Sequence, residues 1–286
     1  MPEGDTLFRT AAVLREALAG REVTAARGRP DGVKLSMVVG ARVDAVESRG
    51  KHLLIGFSNG LTLHTHLRMH GSWHRYRSGE RWRRTPARAV AVIEVPGAVA
   101  VCFDAPTCEL LETRAVALHP GLAALGPDLL AAAPDLDGAF ARLRDPSRAA
   151  MPVGEALLDQ RALAGLGNVY RSEVCFIQRI DPFAAVGELH DDTLRALVGL
   201  GERLIHANRL SPARITTRDA LGGAPGAGGP RRGPDKYVYG RMGRPCLRCG
   251  TAIRSRVTGE LARRTYWCPS CQPPGAGTIA RAATPA

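Results

Sequence analysis

The chain has 286 residues, with 39 Lys and Arg against 27 Asp and Glu, a formal charge of +12 and a pI of about 10.0. A length of this order predicts about two domains and a core large enough to fold without disulfide staples. The basic excess points to a polyanionic partner, nucleic acid in the first place. No run of about 18 apolar residues occurs, which excludes a membrane-spanning helix and a membrane partner. The start carries Glu3 and Asp5 and lacks a basic stretch ahead of an apolar core, so it does not read as a secretory signal.

Residues 5–19 are predicted as an amphipathic helix, because Leu7, Ala11, Leu14 and Leu18 recur at helical spacing and Gly20 stops it. From about 22 to 113 the pattern changes to short β segments at 41–48, 52–57, 61–66, 89–95 and 99–103. Ser58-Asn59-Gly60 and Pro96-Gly97 are the turn signals between them, and the whole reads as a sandwich or barrel. After about 120 the chain turns helical, with candidates at 139–143, 154–159, 168–179 and 191–208, the last capped by Asp191 or Asp192. A Gly/Pro-rich linker occupies 222–236, a small cysteine module 237–272, and the tail 273–286 is expected to be disordered. The predicted fold is therefore α+β and multidomain: 1–120 as helix plus β-sandwich, 121–221 helical, then linker, cysteine module and tail.

Seven cysteines is an odd number, and four of them form Cys246-Leu-Arg-Cys249, an 18-residue gap, then Cys268-Pro-Ser-Cys271. Two such pairs at this spacing are the pattern of a four-cysteine zinc site, and residues 253–257 and 261–267 around Thr258-Gly259 read as the hairpin of a zinc ribbon. One structural Zn2+ is therefore expected, in a reducing, cytoplasmic compartment. Cys102, Cys108 and Cys175 read as ordinary core residues. Residues 212–286 hold thirteen Arg and Lys against Asp219, Asp235 and Glu260, so most of the charge lies in this last quarter. Arg248, Arg254, Arg256, Arg263 and Arg264 around the ribbon read as a nucleic-acid clamp, arginine being suited to bidentate phosphate contact.

Met1 precedes the small residue Pro2, so removal of the methionine is expected. A free prolyl secondary amine is a nucleophile toward an aldehyde-like sugar carbon, with a pKa nearer neutrality than lysine, and Glu3 beside it can shuttle a proton.

Taken together, Met1-Pro2-Glu3-Gly4, Gly50-Lys51-His52-Leu53, Leu125-Gly126-Pro127-Asp128, Leu157-Leu158-Asp159-Gln160 leading to Gly165-Leu166-Gly167-Asn168-Val169-Tyr170, and Arg263 with Tyr266-Trp267-Cys268-Pro269-Ser270-Cys271-Gln272 occur in one order. In that order and spacing the chain resembles the formamidopyrimidine-DNA glycosylase / endonuclease VIII family up to about Gln272. The resemblance implies a bifunctional DNA glycosylase and AP lyase with a helix–two-turns–helix domain between the sandwich and the zinc finger. It implies Pro2 as Schiff-base nucleophile at C1′, Glu3 as general acid/base, Lys51 and Arg263 as phosphate-binding residues that assist strand cleavage, and Asn168 as a phosphate contact. Flipping a base leaves a void, and His66-Leu67-Arg68-Met69-His70-Gly71 is similar to the family's void-filling loop, with Met69 as the wedge. Arg68, His70, Tyr170, Arg171 and Arg264 are expected as further DNA contacts. The implied partner is damaged duplex DNA, with single-stranded or bubble DNA also open, and the chain is expected to act as a monomer.

Gly4 is the endonuclease VIII form. The segment Asp104-Ala105-Pro106-Thr107-Cys108 lacks the Arg and Phe that 8-oxoguanine enzymes insert opposite the lesion, and the linker stands where they carry a lesion-capping loop. Oxidised pyrimidines are therefore the favoured substrates, with 8-oxoguanine or formamidopyrimidine as the alternative. A non-catalytic damage-binding zinc protein is the competing reading, opposed by the joint presence of Pro2, Glu3, Lys51 and Arg263. His64, His66, His70 and His74 are spaced like a ladder of metal ligands, but with no carboxylate placed near them they read as strand and loop histidines.

Overall fold

The computed structural model describes residues 2–217, 234–259 and 262–278. They fall into two compact units, Met1–Ala124 and Leu125–Ala286. The first break thus lies a few residues beyond the expected position 120, and the helical segment and cysteine module share one unit.

In the first unit α1 (Gly4–Leu18) begins at Glu3 and ends at Ala19, just before Gly20 with φ 77. Leu7, Ala11, Leu14, Ala17 and Leu18 are its buried stripe. Eight strands follow: β1 (Ala25–Gly28), β2 (Val43–Arg49), β3 (His52–Phe57), β4 (Leu61–His66), β5 (Ser72–Tyr76), β6 (Ala89–Val95), β7 (Ala98–Phe103) and β8 (Thr107–Glu112). They form two antiparallel four-stranded sheets in the orders β1-β6-β7-β5 and β2-β3-β4-β8. Val43, Val46, Leu53, Ile55 and Leu63 from one sheet and Ala91, Ile93, Ala100 and Cys102 from the other enclose one core with the α1 stripe. At roughly 1.5–3 kcal/mol per buried aliphatic side chain, that core is the main source of stability here.

The second sheet has two chemically different faces. Leu53 and Ile55 alternate inward on β3, while His52 and Leu54 point the other way, where their paired residues on β4 are His66 and His64. The segment Thr113–Leu118 forms a short 3-10 helix after β8, and α2 (Pro120–Ala123) ends the unit.

The second unit contains α3 (Leu136–Leu143), the single turn α4 (Val153–Ala156), α5 (Asn168–Ile177), α6 (Asp191–Asn208) and the hairpin β9 (Arg254–Thr258)–β10 (Arg263–Trp267). The helix expected over 154–159 stops after one turn. Asp159 accepts from Arg161 N at 2.9 Å and pairs with Arg148, so its side chain builds a turn in place of helix. Gln160 then organises the connection to α5: its amide donates to Leu158 O and Leu166 O, and its carbonyl oxygen Oε1 accepts from Gly165 N at 3.1 Å. Gly126 passes so close to this loop that a Cβ would lie 2.5 Å from Ala162 O, which explains the glycine in the Leu125–Asp128 motif. His190, not Asp191 or Asp192, is the N-cap of α6; Asp191 instead pairs with Arg144.

The C-terminal segments are tied to α5 through one side chain. Glu173 is fully buried. Its Oε1 accepts from Val238 N at 2.9 Å and Tyr239 N at 2.8 Å, and its Oε2 from Tyr237 N at 2.8 Å and from the Thr216 hydroxyl. Phe176 packs beside it with Val238, Cys246, Ile253 and Cys268. The expected linker lies almost wholly outside the described residues, as does 279–286. The first part of the tail is ordered, against expectation: Gly275 N donates to Asp181 Oδ2 at 3.0 Å, and Thr278 bridges to Leu189. Glu173→Gln turns one acceptor of this set into a donor and strands buried N–H groups. A loss of about 3 kcal/mol is expected, read as a lower urea midpoint of Trp267 fluorescence with Trp73 and Trp82 replaced by Phe.

Candidate active site and nucleic-acid interface

The first unit carries the N-terminal pair. Pro2 is half-buried and Glu3 is fully buried. Glu3 stands at the N-cap of α1, where its backbone carbonyl accepts from Thr6 N at 2.9 Å and Leu7 N at 3.2 Å. Glu3 thus stands at the positive end of a helix dipole, next to Pro2 in the chain.

Lys51 lies at the tip of the β2–β3 hairpin. Arg49 pairs with His52, so the loop is the two residues Gly50-Lys51. Gly50 has φ 56, the left-handed conformation that a two-residue hairpin turn requires and that glycine adopts without strain. The glycine therefore sets where the lysine projects. The loop after β4 is equally defined: Arg68 takes φ 48, and Gly71 N donates to Leu67 O at 2.9 Å. Arg68, Met69 and His70 are all exposed there, with Met69 at 41%.

Histidines line the sheet beneath these two loops. Burial, followed by repulsion from His66 and the neighbouring imidazoles, pushes His52 down to about 3. Burial, followed by the charges of Arg68 and Lys51, pushes His66 down to about 4. These rings are neutral at physiological pH, and the positive charge of this region rests on Lys51 and Arg68. The histidine reading from sequence needs correction in one respect: a carboxylate does stand against His64, with Glu109 Oε1 2.7 Å from its Nδ1. β8 was not among the predicted strands, so the register that brings Glu109 opposite His64 had no visible sign.

The segment read as an insertion loop is short. β7 ends at Phe103 and β8 begins at Thr107, leaving Asp104-Ala105-Pro106 as the link. Asp104 is held by Arg84 at 2.7 Å and Arg88 at 2.8 Å, and these guanidinium contacts, Arg88 first, lower its pKa.

In the second unit Asn168 is the first residue of α5 and is buried. Its Nδ2 donates to Arg264 O at 3.0 Å, which joins the start of α5 to strand β10. Arg263 opens β10, opposite Thr258, and is half-buried; Arg264 is exposed and donates to Ser255 Oγ at 3.1 Å. Tyr170 and Arg171 do not stand on a surface, contrary to the expectation of DNA contact. They are 0% and 1% exposed, and Arg171 donates to Gly154 O at 3.2 Å, so they pack α5 against α4. Every residue of α5 from Asn168 to Phe176 is buried, whereas the sequence resemblance marked only their proximity to Asn168. Arg248 also leaves the expected clamp: it lies 4.5 Å over the Phe176 ring and donates to Phe176 O, capping the C-terminal end of α5. Arg256 stacks 3.6 Å over Phe183.

Cys246, Cys249, Cys268 and Cys271 converge, with all four sulfurs within 4.8 Å of one another. The Cys246–Cys271 separation is 3.9 Å, and Cys249 lies 3.5 Å from both Cys268 and Cys271. Four thiolates around one tetrahedral zinc at ~2.3 Å stand about 3.8 Å apart, and a disulfide needs ~2.05 Å, so the donor set fits a metal ion and not a pair of bridges. Cys102 and Cys175 are buried and Cys108 half-buried, with burial raising the Cys108 and Cys175 thiols to about 12, as inert core residues require.

A helix-led β-sandwich, a helix–two-turns–helix unit and a four-cysteine ribbon together define the class of the DNA glycosylases that work from an N-terminal residue. The formamidopyrimidine-DNA glycosylase N-terminal domain model matches residues 1–105, and the formamidopyrimidine-DNA glycosylase H2TH domain model matches 125–208. The chain belongs to the formamidopyrimidine-DNA glycosylase family. It is 44% identical over 281 residues to a probable endonuclease 8 2 of Streptomyces coelicolor, covering 95% of this chain and 94% of that protein. It is 42% identical over 277 residues to the DNA-(apurinic or apyrimidinic site) lyase Nei2 of Mycolicibacterium smegmatis, covering 95% and 99%. The fold matches that of Lactococcus lactis Fpg solved with abasic-site DNA at a TM-score of 0.77 and 21% identity, over 95% of this chain and 100% of that one.

Proposed function

We propose that the protein is a bifunctional DNA glycosylase and AP lyase of base excision repair, acting as a monomer on damaged duplex DNA in the cytoplasm. The observation that supports this reading is Glu3, fully buried at the N-cap of α1 and next in the chain to Pro2. With Met1 removed, the Pro2 amine attacks C1′ of an extruded nucleotide. The C1′–base bond breaks, the amine proton passing to the departing base and leaving the nitrogen joined to C1′; opening of the C1′–O4′ bond then turns that linkage into an iminium. Glu3 supplies a proton to the sugar oxygen as the ring opens and can take one back later. Loss of a C2′ proton then expels the 3′ phosphate, a second elimination expels the 5′ phosphate, and water releases the sugar from Pro2.

Lys51 at its hairpin tip, Asn168 at the start of α5, and Arg263 and Arg264 on β10 are the phosphate contacts in this reading. Each is supported by its position at a turn, a helix N-terminus or a strand start. Arg68 and His70 flank Met69, whose exposure supports its role as the wedge filling the space of the flipped base. Oxidised pyrimidines are the proposed lesions. The three-residue link between β7 and β8 supports this, because it offers neither the length nor the Arg and Phe side chains for insertion opposite the lesion. One zinc ion in the cysteine cluster is proposed as structural, holding the ribbon that presents Arg263.

Borohydride reduction during turnover on abasic or thymine-glycol duplex is expected to trap a covalent enzyme–DNA adduct, and Pro2→Gly to abolish it; no adduct with wild type rejects the Schiff base. Glu3→Gln is expected to lose base excision at least a hundredfold while retaining cleavage of preformed abasic sites. Zinc chelation is expected to expose β9–β10 to protease and weaken DNA binding at least tenfold, measured by anisotropy at fixed salt.

A further inference from the structure

The outer face of the second sheet carries a side-chain cluster that the repair chemistry does not use. On β4, His64 is in register with Glu109 on β8, and its Nδ1 lies 2.7 Å from Glu109 Oε1. His119, just ahead of α2, brings its Nε2 to 3.0 Å from the same oxygen. These three residues offer donor atoms that all lie within 4.8 Å of one another. On the far side of His64, its Nε2 lies 2.8 Å from His52 Nδ1.

We propose that His64, Glu109 and His119 form a second metal site, taking a zinc-like divalent transition ion, with His52 as the outer partner that orients His64. Two imidazoles and one carboxylate around zinc at ~2.0–2.1 Å place their donor atoms about 3.3 Å apart. The observed 2.7 and 3.0 Å separations therefore need only a slight opening to admit the ion. A ligating histidine is oriented by a group at its remaining nitrogen, and His52 Nδ1 stands 2.8 Å from His64 Nε2. Gly121 keeps the position of His119 open, since a Cβ there would come within 3.2 Å of its Cε1.

The donor set selects the ion. Two nitrogens and a single carboxylate suit zinc, whereas magnesium and calcium require oxygen ligands. Access is from the Glu109 side: the side chains of Glu109 and His119 are 38% and 21% exposed, against 1% for His64. Three protein ligands leave a fourth position to water. The ligands come from β4, from β8 and from the segment that ends the first unit, so the bound ion ties that segment to the sheet whose hairpin carries Lys51.

The test uses the full chain with its cysteine site loaded, dialysed against excess zinc and then against metal-free buffer, with zinc counted per chain. Wild type is expected to hold two ions, and Glu109→Gln and His119→Gln one each. Adding zinc should raise the melting temperature of wild type and not that of the variants. A second reading uses wild type alone, so it does not depend on any variant folding. Cobalt at the cysteine site shows thiolate charge transfer, and the proposed site adds visible bands without it. One ion in wild type, two in every variant, or no thiolate-free cobalt spectrum each overturns the proposal.

Discussion

A single buried carboxylate organises the C-terminal unit. Glu173 sits mid-way along α5 and accepts three backbone N–H groups of Tyr237, Val238 and Tyr239 and the Thr216 hydroxyl. Burying a charge is tolerable only when its lone pairs are filled, and here protein donors fill them. The same helix presents Asn168 at its N-terminal end and Phe176, under the ribbon, at its C-terminal end. The start of α5, the entry to the ribbon and strand β10 thus refer to one rigid element, and Asn168 and Arg264 meet without a dedicated interface.

The local elements were legible where the sequence pattern was strong. Strands at 52–57, 61–66 and 89–95 and the helix at 191–208 stand as read, because apolar alternation or helical periodicity runs their full length. Strand β8 was not legible: its residues are almost uniformly half-buried, so no alternation betrays it. The cost was Glu109, whose meeting with His64 depends on long-range register. β1 has four residues and includes Arg27, too short and polar to stand out. The four-cysteine cluster was legible because a metal-ligand set is written in residue type and spacing. The burial of Tyr170 and Arg171 was not legible, since proximity to Asn168 in the chain does not reveal that α5 is enclosed from Asn168 to Phe176.

The basic excess divides in a way that composition could not reveal. Arg248 caps a helix, Arg144 holds Asp191, and Arg84 and Arg88 hold Asp104. Much of the arginine content is therefore architectural, its forked donors serving carbonyls and carboxylates within the chain. Other basic side chains stand at defined tips: Lys51 on a two-residue turn, Arg68 at a left-handed residue, Arg264 on an exposed strand position.

The described residues on the two sides of 218–233 are hydrogen-bonded to each other. Thr216 N donates to Asp235 O at 2.8 Å, and the Thr217 hydroxyl to Pro234 O at 2.7 Å. With the ends already closed, a change of length between them costs little, about 0.6 kcal/mol per doubling even for a free loop. The flanking bonds therefore fix the spacing between Thr217 and Pro234 from outside the stretch that joins them.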